Sequence, residues 1–444
     1  MSPAGADHAD HAHHHLEATS RLFRLRIRLS SAMWLPVLAA NVVAVALAIG
    51  LPVLDEHIGD QQSLPITTSA AQTIFGALAG GMITFTGIVF SAVFVAAQIQ
   101  TSSYSPRLAA RIRRDPVVIA GLAFPTASAS YALVALAAIG RQTNLSGDFV
   151  PAITVLFGLV LAAVTLGAFV ALVQRAFEST QIGGILRTLM RRAFAVIDDV
   201  HPRDAPTEDA TTAAPPADAR PREIRHTGPP AVIAAIDRAA LLRVAEQTGG
   251  FVEVVPVVGE YLASGRVVLR ISGARADAEP RLVRRVFVLA RQRTVDQDPA
   301  FVLRMLVDIA IRALSPAVND PTTAVQVLDR VETLLVELAG RHPGPSIVVD
   351  DDGRARARVT APRWSAYVEL GLMEIRRYGA DSPQVARRLT ALYDRLGEVA
   401  GDGERGRVDL ERRLLAEAVV AAFPDAEERR IVERADRLGL GCEP

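Results

Sequence analysis

The sequence predicts a mainly α protein. We expect a four-helix transmembrane domain, followed by a cytoplasmic α+β module and a helical C-terminal region. Three observations predict this fold class. Four apolar stretches near the N-terminus each approach the roughly 20 residues that a helix needs to cross a bilayer. Short strand-like runs between glycine turns follow them. Two Asp-Pro helix starts come next, and charged and aliphatic residues then alternate to the end.

The composition limits the classes of protein to which the chain can belong. Its 444 residues leave room for two or three domains, and 50% of them are hydrophobic. The formal net charge is zero, so no general attraction to nucleic acid is expected. The sequence contains Arg but no Lys. Cys442 is the one cysteine. A single cysteine allows neither an internal disulfide framework nor a cysteine-based metal site.

Residues 1–30 are expected to be a disordered His-rich segment that runs into a basic one. His11, His13, His14 and His15 form a weak candidate site for a divalent metal, because imidazole is a common ligand of such ions. No apolar pattern in this segment fixes the geometry of the four side chains. We therefore interpret the segment as a polar tail and predict no metal site.

Residues 31–175 are predicted to form the four-span domain, with apolar stretches at 33–54, 69–100, 117–140 and 150–172. Arg residues cluster before the first stretch, between the second and third, and after the fourth. The positive-inside rule then places both termini in the cytoplasm of a multi-pass membrane protein. No stretch carries Asp, Glu, Arg or His at its middle, which argues against a proton-coupled transporter.

The second span has one face of small and polar residues, here called the polar face. Steps of seven or eleven residues nearly close whole helical turns, so these residues share one side of the helix. They are Thr73, Gly80, Thr84, Gly87, Ser91, Gln98 and Ser102. Apolar residues, among them Phe75, Met82 and Val89, lie on the other side.

The polar face has two interpretations. In the first, the face packs against neighbouring helices of the four-span bundle. This accounts for its glycines, because small residues allow backbones to approach closely. Alternatively it lines a water-filled path in an oligomer. Gln100, Ser103 and Arg107 would then lie at the cytoplasmic mouth of that path.

The third span is also polar, whereas the fourth is nearly all aliphatic and is expected to face lipid. Pro125 is followed by Thr126, Ser128, Ser130 and Tyr131 in the third span. Proline removes a backbone hydrogen bond, and nearby hydroxyl groups can satisfy the carbonyl that it frees.

The remaining chain is predicted to be cytoplasmic. A connecting helix is expected at 176–200, and a flexible linker rich in Pro, Ala, Thr and Asp at 201–230. A small α/β module follows at 231–295, and a helical domain at 296–444. Glycine turns separate the strand-like runs of the α/β module.

A second candidate site lies at a corner between two predicted helices. Two Asp-Pro pairs, at 298–299 and 320–321, are typical helix starts with Asp as N-cap and Pro at the first position. An exposed helix N-terminus can bind an ion or an anion, although capping alone also accounts for each residue type. The residues of this motif are Asp298, Ser315, Asn319, Asp320, Thr322 and Thr323.

Motifs of catalytic chemistry are not found in the sequence. It has no phosphate loop, no dinucleotide fingerprint, no zinc-ligand spacing and no nucleophile elbow. Nothing therefore favours an enzyme, and no cofactor is predicted. The charges of the predicted cytoplasmic part are mixed, which argues against a nucleic-acid partner.

Two stretches carry a family resemblance: GIVFSAVFVAAQIQTSSYSPRL (Gly87–Leu108) and RTVDQDPAFVLRMLVDIAIRALSPAVNDPTTAVQVLDR (Arg293–Arg330). Both are similar to the bacterial membrane-protein family catalogued as domain of unknown function 2254. The resemblance extends from the first span to about Arg330. It implies a four-span inner-membrane protein with a cytoplasmic domain, and it supplies no activity.

These observations favour an oligomeric ion channel or pore that is lined by the second span, with the cytoplasmic domain as vestibule or gate. Its partners would be the lipid bilayer, further copies of the chain, and a small ion or solute. The alternative is a non-conducting sensor or scaffold whose cytoplasmic domain binds a ligand or partner. A pore needs the polar face to point toward an axis between copies. A sensor would have that face packed inside its own bundle.

Overall fold

A computed structural model describes residues 34–58, 67–103, 115–146, 151–180, 182–203, 221–274, 277–401 and 403–441. These residues form two compact units, divided between Gly184 and Ile185. We call the first the span unit and the second the C-terminal unit. The candidate metal residues His11, His13, His14 and His15 lie outside the described residues, as does Arg107.

The span unit consists of four long helices: α1 (Trp34–Ile58), α2 (Thr68–Ser103), α3 (Pro116–Ser146) and α4 (Ala152–Thr180). Each contains an apolar segment of 22 to 28 residues, which is long enough to cross a bilayer. The four spans predicted from the sequence are thus confirmed as helices. The apolar segment of α3 is 56% buried, against 17 to 28% for the other three, so α3 is the central helix of the bundle.

Tyr131 of α3 organises one end of the bundle. Its ring centroid lies 6.2 Å from that of Phe75 and 5.0 Å from that of Phe157. Its hydroxyl group donates a hydrogen bond to the carbonyl of Thr154 at 2.8 Å. A Cβ atom at Gly158 would lie 2.8 Å from the Phe75 ring, so glycine is what lets α2 and α4 meet there.

The C-terminal unit combines two small sheets with a set of helices. Its elements in chain order are α5 (Ile182–Val200), which enters it at Ile185, β1 (Arg222–Arg225), β2 (Ala231–Ile236), α6 (Arg238–Thr248), β3 (Phe251–Val254), β4 (Tyr261–Leu262), β5 (Val267–Ser272), α7 (Pro280–Val286), β6 (Phe287–Ala290), α8 (Pro299–Ala313), α9 (Pro321–Ala339), β7 (Ser346–Val349), β8 (Ala355–Val359), α10 (Trp364–Gly379), α11 (Pro383–Val399), α12 (Arg405–Ala422) and α13 (Ala426–Val432).

The two sheets share one apolar core. The larger sheet has the strand order β1-β5-β3-β8-β7 and is antiparallel except between β3 and β8, where Val252 lies beside Ala357. The smaller sheet has the order β4-β2-β6 and is antiparallel. Ile233, Leu241 and Leu269 are fully buried in the core between these strands and α6. This arrangement agrees with the predicted α+β module.

The sheet extends beyond the expected bounds of that module at both ends. β1 lies inside the range 201–230 that was expected to be a linker, and the β7–β8 pair lies inside the range 296–444 that was expected to be helical. β8 reads Ala-Arg-Ala-Arg-Val, and its Ala357 is fully buried. Alanine is a weak apolar signal, so the alternation that buries one face of this strand is easily missed.

The helical part begins as the Asp-Pro pairs predict. Asp298 accepts a hydrogen bond from the backbone N–H of Phe301 at the start of α8, and Asp320 accepts one from that of Thr323 at the start of α9, both at 3.0 Å. Trp364 is completely buried, and its indole N–H donates to the carbonyl of Leu335 at 2.8 Å. This bond fixes α10 against α9.

Candidate functional site

The polar face of α2 is exposed on the span unit. Every one of its residues whose side chain the structure describes is exposed: Thr73, Gly80, Thr84, Gly87, Ser91 and Gln98. For Ser102, and for the predicted mouth residues Gln100 and Ser103, the structure describes only the helical backbone. The face therefore points away from the rest of its own bundle.

The opposite side of α2 is the side that packs. Phe75 and Val89 are fully buried and Met82 is nearly so. Val89 belongs to a cluster with Leu122 of α3 and Leu172 of α4. The apolar side thus faces the protein, and the polar face is turned toward whatever surrounds the bundle.

The glycines of α2 separate the two interpretations of the polar face. Apart from the adjacent residues and nearby backbone of α2 itself, no atom of the described residues lies within 4 Å of a Cβ built at Gly76, Gly80 or Gly87. Gly121 differs, because a Cβ there would meet the Leu172 side chain at 2.8 Å. Packing inside the chain's own bundle therefore does not account for the glycines of the polar face. That interpretation was wrong, because periodicity shows two sides of a helix and not which of them is covered.

The hydroxyl groups of the polar face bond to their own helix. Thr73 donates to the carbonyl of Ser69 at 2.8 Å, Thr84 to that of Gly80 at 3.1 Å, and Ser91 to that of Gly87 at 3.0 Å. The proton of each hydroxyl is thereby satisfied, and its oxygen remains available as an acceptor. These three hydroxyl groups can lie against another helix without an unsatisfied donor, and they can also contact water or a hydrated ion.

Polar groups inside the bundle are paired with other helices. Asn41 of α1 donates to the Thr126 hydroxyl at 2.9 Å and accepts from the Ser130 hydroxyl at 2.7 Å. The hydroxyl groups of Ser128 and Thr165 are 2.7 Å apart. These contacts stabilise helix packing. The sequence marked the hydroxyl groups of the third span and missed Asn41, which stands alone in an apolar stretch.

Carboxylates hold two helix starts of the span unit. Asp55, near the end of α1, accepts from the backbone N–H groups of Ile153 and Thr154 at 3.0 and 3.1 Å, at the start of α4. Asp115 caps α3 through the N–H of Val117 and pairs with Arg175 of α4 at 2.8 Å. Both are favourable, because a helix N-terminus attracts negative charge.

The corner between α8 and α9 is a capped turn. Ser315 donates through its hydroxyl to the carbonyl of Arg312 at 2.7 Å, and its own carbonyl accepts from the N–H of Asn319 at 2.9 Å. Asn319 has a positive φ of 48°, which Asn tolerates better than most residues. Thr322 is exposed and Thr323 supplies the N–H that Asp320 binds. Capping thus accounts for the contacts seen at this corner.

Asp298 is not part of that corner. It lies at the other end of α8, about 22 Å away for a 15-residue helix. Its carboxylate is buried and pairs with Arg293. Burial raises the pKa of the Asp298 carboxyl, and the Arg293 guanidinium opposes that shift. A Cβ at Gly259 would overlap this ion pair. The absence of a side chain at Gly259 therefore lets the turn before β4 lie against Arg293 and Asp298.

No group of three or more His, Cys, Asp or Glu residues with the geometry of a metal site occurs in the described part of the chain. Six buried side-chain polar atoms there have no partner, and none of them lies in the span unit. They include Nε2 of His201 and the hydroxyl oxygen of Tyr393. Among the described residues, all six of these atoms belong to the C-terminal unit.

Comparison with known proteins shows a family and several relatives to which the chain is similar. The family model described as "Predicted membrane protein (DUF2254)" matches residues 30–395. Similar proteins include "Uncharacterized protein Rv1290c" of Mycobacterium tuberculosis and "Uncharacterized protein Mb1321c" of Mycobacterium bovis. Each is 31% identical over 436 residues, which cover 95% of this chain and 81% of the relative. No solved structure matches the chain.

Proposed function

The chain belongs to the DUF2254 family of predicted membrane proteins, and from this premise we propose that it forms an oligomeric ion channel or pore lined by α2. The observation that carries the proposal is the direction of the polar face. Its small and hydroxyl-bearing residues are exposed, while the apolar side of the same helix is buried against α3 and α4.

An exposed face of a membrane helix meets either lipid or another polar or protein surface. The other spans present bulky apolar residues on their exposed sides, such as Val42 and Ile49 of α1 and Leu156 and Val160 of α4. Such residues suit lipid, whereas the polar face of α2 offers glycine backbone and hydroxyl oxygens instead. We infer that this face is covered by further copies of the chain, arranged about an axis.

A path along that axis would be lined by Thr84, Ser91 and Gln98. At 1.5 Å per residue the 36 residues of α2 span about 54 Å, whereas the hydrocarbon core is about 30 Å thick. The helix is therefore long enough to line a complete path and to continue past one surface. Gln100, Ser103 and Arg107 would surround the mouth on that side, where a ring of Arg would favour anions.

The proposed orientation follows from the Arg-rich loops. With the positive-inside rule both termini face the cytoplasm of the bacterial inner membrane, and the C-terminal unit would form a vestibule or gate there. The rival function is a non-conducting sensor or scaffold, in which the polar face would serve only the contact between copies.

The decisive experiment records current from the purified full-length chain in a planar bilayer. We expect unitary currents that Ser91→Trp abolishes or reduces at least tenfold, because the large side chain would block the narrow path. Phe90→Trp is the matched control, since the neighbouring Phe90 is exposed beside the polar face and would contact lipid. Size-exclusion chromatography must show the same assembly for all three proteins.

Cysteine accessibility tests the same path without a bulky substitution. The chain has one native cysteine, so Cys442→Ser gives a clean background. A water-soluble thiol reagent should reduce current through Thr84→Cys, Ser91→Cys or Gln98→Cys and leave Phe90→Cys unchanged. Silent bilayers under voltage, tension and pH change would favour the sensor or scaffold instead.

A further inference from the structure

A cavity of about 300 Å³ lies in the C-terminal unit, far along the chain from the polar face. It is lined by Glu332 of α9, by one face of α11, and by Arg437 after α13. The α11 residues are Arg388, Ala391, Arg395 and Glu398, whose spacing of three and four places them on one side of the helix. We call this the arginine cavity.

The wall that carries Arg437 is held in place by backbone hydrogen bonds. Arg387 of α11 donates to the carbonyls of Arg434 and Gly441 at 3.2 and 2.7 Å. Asp436 is buried and accepts from three backbone N–H groups of the turn that follows it, those of residues 438, 439 and 441. Arg437 is therefore carried by an ordered turn, so binding a ligand does not require its backbone to be ordered.

The three guanidinium groups of the cavity differ in how they are paired. Arg388 is buried and bonds Asp329 at 2.9 Å and Glu332 at 2.7 Å, so its charge is balanced. Arg395 is half-exposed and pairs with Glu398 at 2.6 Å. Arg437 is exposed and forms none of the ion pairs found within the described part of the chain. With Asp329 counted beside Glu332 and Glu398, three carboxylates balance the three arginines, and Arg437 is the arginine of the cavity that keeps its donors free for a ligand.

Such a lining selects a particular ligand chemistry. Guanidinium groups bind carboxylate and phosphate through paired N–H donors. The two carboxylates beside them are acceptors and would bind hydroxyl or amino groups of the same ligand. The volume is at the lower end of the range typical of small-molecule sites, about 300–1,000 Å³.

We propose that the arginine cavity binds a small oxyanion ligand, a phosphate ester or carboxylate that also carries hydroxyl or amino donors. Arg437 and Arg395 contact the oxyanion, Arg388 with its two acidic partners forms the fixed floor, and Glu398 meets the donors. The proposal is independent of the pore, since a gated channel and a non-conducting sensor would both use such a site.

Isothermal titration calorimetry of the full-length chain in maltoside micelles, which contain no phosphate, tests this proposal. The probes are inorganic phosphate, glycerol 3-phosphate and malonate, with choline chloride as the control salt. We expect saturable binding of at least one oxyanion probe, tighter for glycerol 3-phosphate than for phosphate because of its hydroxyl groups. Absence of saturable binding for all three probes overturns the proposal.

Substitutions locate the binding. Arg437→Gln should weaken the affinity at least tenfold, and Arg395→Gln should weaken it severalfold. Arg413→Gln is the matched control, because Arg413 is exposed on α12 outside the cavity. Glu398→Gln removes a repulsive charge and frees Arg395, so the affinity for malonate, which has no donor for Glu398 to bind, should rise severalfold, which no folding defect would produce. Equal affinities for the wild type, Arg437→Gln and Glu398→Gln would contradict the assignment.

Discussion

The second and third spans both carry hydroxyl side chains, yet they use them in opposite ways. In α3 the hydroxyl groups of Ser128, Ser130 and Tyr131 reach other helices and join the bundle. In α2 those of Thr84 and Ser91 bond their own backbone and remain exposed. Polarity inside a membrane helix therefore has two meanings. It marks either a contact within one chain or a surface that the chain offers to something else.

The largest effect is expected where a polar aromatic residue joins the bundle. Tyr131→Ala removes a buried ring and its hydrogen bond to α4, and should lower the free energy of unfolding by about 3–5 kcal/mol. Phe90→Ala, at an exposed position of α2, should change it by less than about 0.5 kcal/mol. Denaturant titration in mixed micelles measures both. Equal losses of unfolding free energy in Tyr131→Ala and Phe90→Ala would contradict the distinction between inward and outward faces.

A buried polar atom without a hydrogen-bond partner adds a third category, and Nε2 of His201, the residue after α5, is an example. Burial, followed by the nearby charges of Arg238 and Arg341, lowers the pKa of His201 from 6.5 to about 4. The unfolded chain therefore binds a proton first as the pH falls. Stability from the neutral imidazole is complete above pH 6.5, declines toward pH 4, and is lost below it.

The expected loss over that pH window is about 3 kcal/mol, at roughly 1.4 kcal/mol for each pKa unit. Thermal unfolding of the full chain between pH 7 and pH 4 measures it. His201→Gln should flatten that part of the pH profile, since glutamine does not titrate. A profile that is as steep in the variant as in the wild type would assign the pH dependence to other groups.

A smaller effect is expected at the carboxylate that joins α1 to α4. Asp55→Ala removes acceptors from two backbone N–H groups and should cost about 1–2 kcal/mol, as does the loss of other helix N-caps. A double-mutant cycle with Thr154→Ala isolates the bond of 2.8 Å between the Asp55 carboxylate and the Thr154 hydroxyl. Strictly additive effects would mean that this side-chain bond contributes nothing.

The smallest effect compares two serine hydroxyl groups directly. Ser130→Ala deprives Asn41 of a donor and should cost about 1 kcal/mol. Ser91→Ala leaves no stranded partner, because the Gly87 carbonyl keeps its helical N–H, and should change the stability of a single chain by less than about 0.5 kcal/mol. If Ser91 lines a path, Ser91→Ala should change the conductance more than Ser130→Ala does. Destabilisation by Ser91→Ala alone would contradict both parts of the comparison.

The sequence predicted what depends on composition and local chemistry. The four spans begin and end within a few residues of the predicted stretches, and both Asp-Pro pairs start helices. It did not predict the direction of the polar face, because in a membrane either side of such a helix can be the buried one. Burial of Phe75 and Val89 decides that question.

Short strands and long-range pairs were missed for a different reason. β1 reads Arg-Glu-Ile-Arg, which has no apolar alternation of useful length. Its pairing with β5 depends on residues about 45 positions away. The arginine cavity likewise assembles residues from 332 to 437, and no local pattern brings Arg437 beside Arg395. Sites of this kind appear only when tertiary contacts are known.

The contact between Asp55 and the start of α4 also affects the order of events while the chain is being synthesised. The carboxylate and the N–H of Thr154 are 99 residues apart in the chain. At about 5–20 residues per second, a ribosome needs roughly 5–20 s to make the second group after the first. During that interval α1 carries an unpaired acid at its end, and the bundle closes only after its last helix has been synthesised.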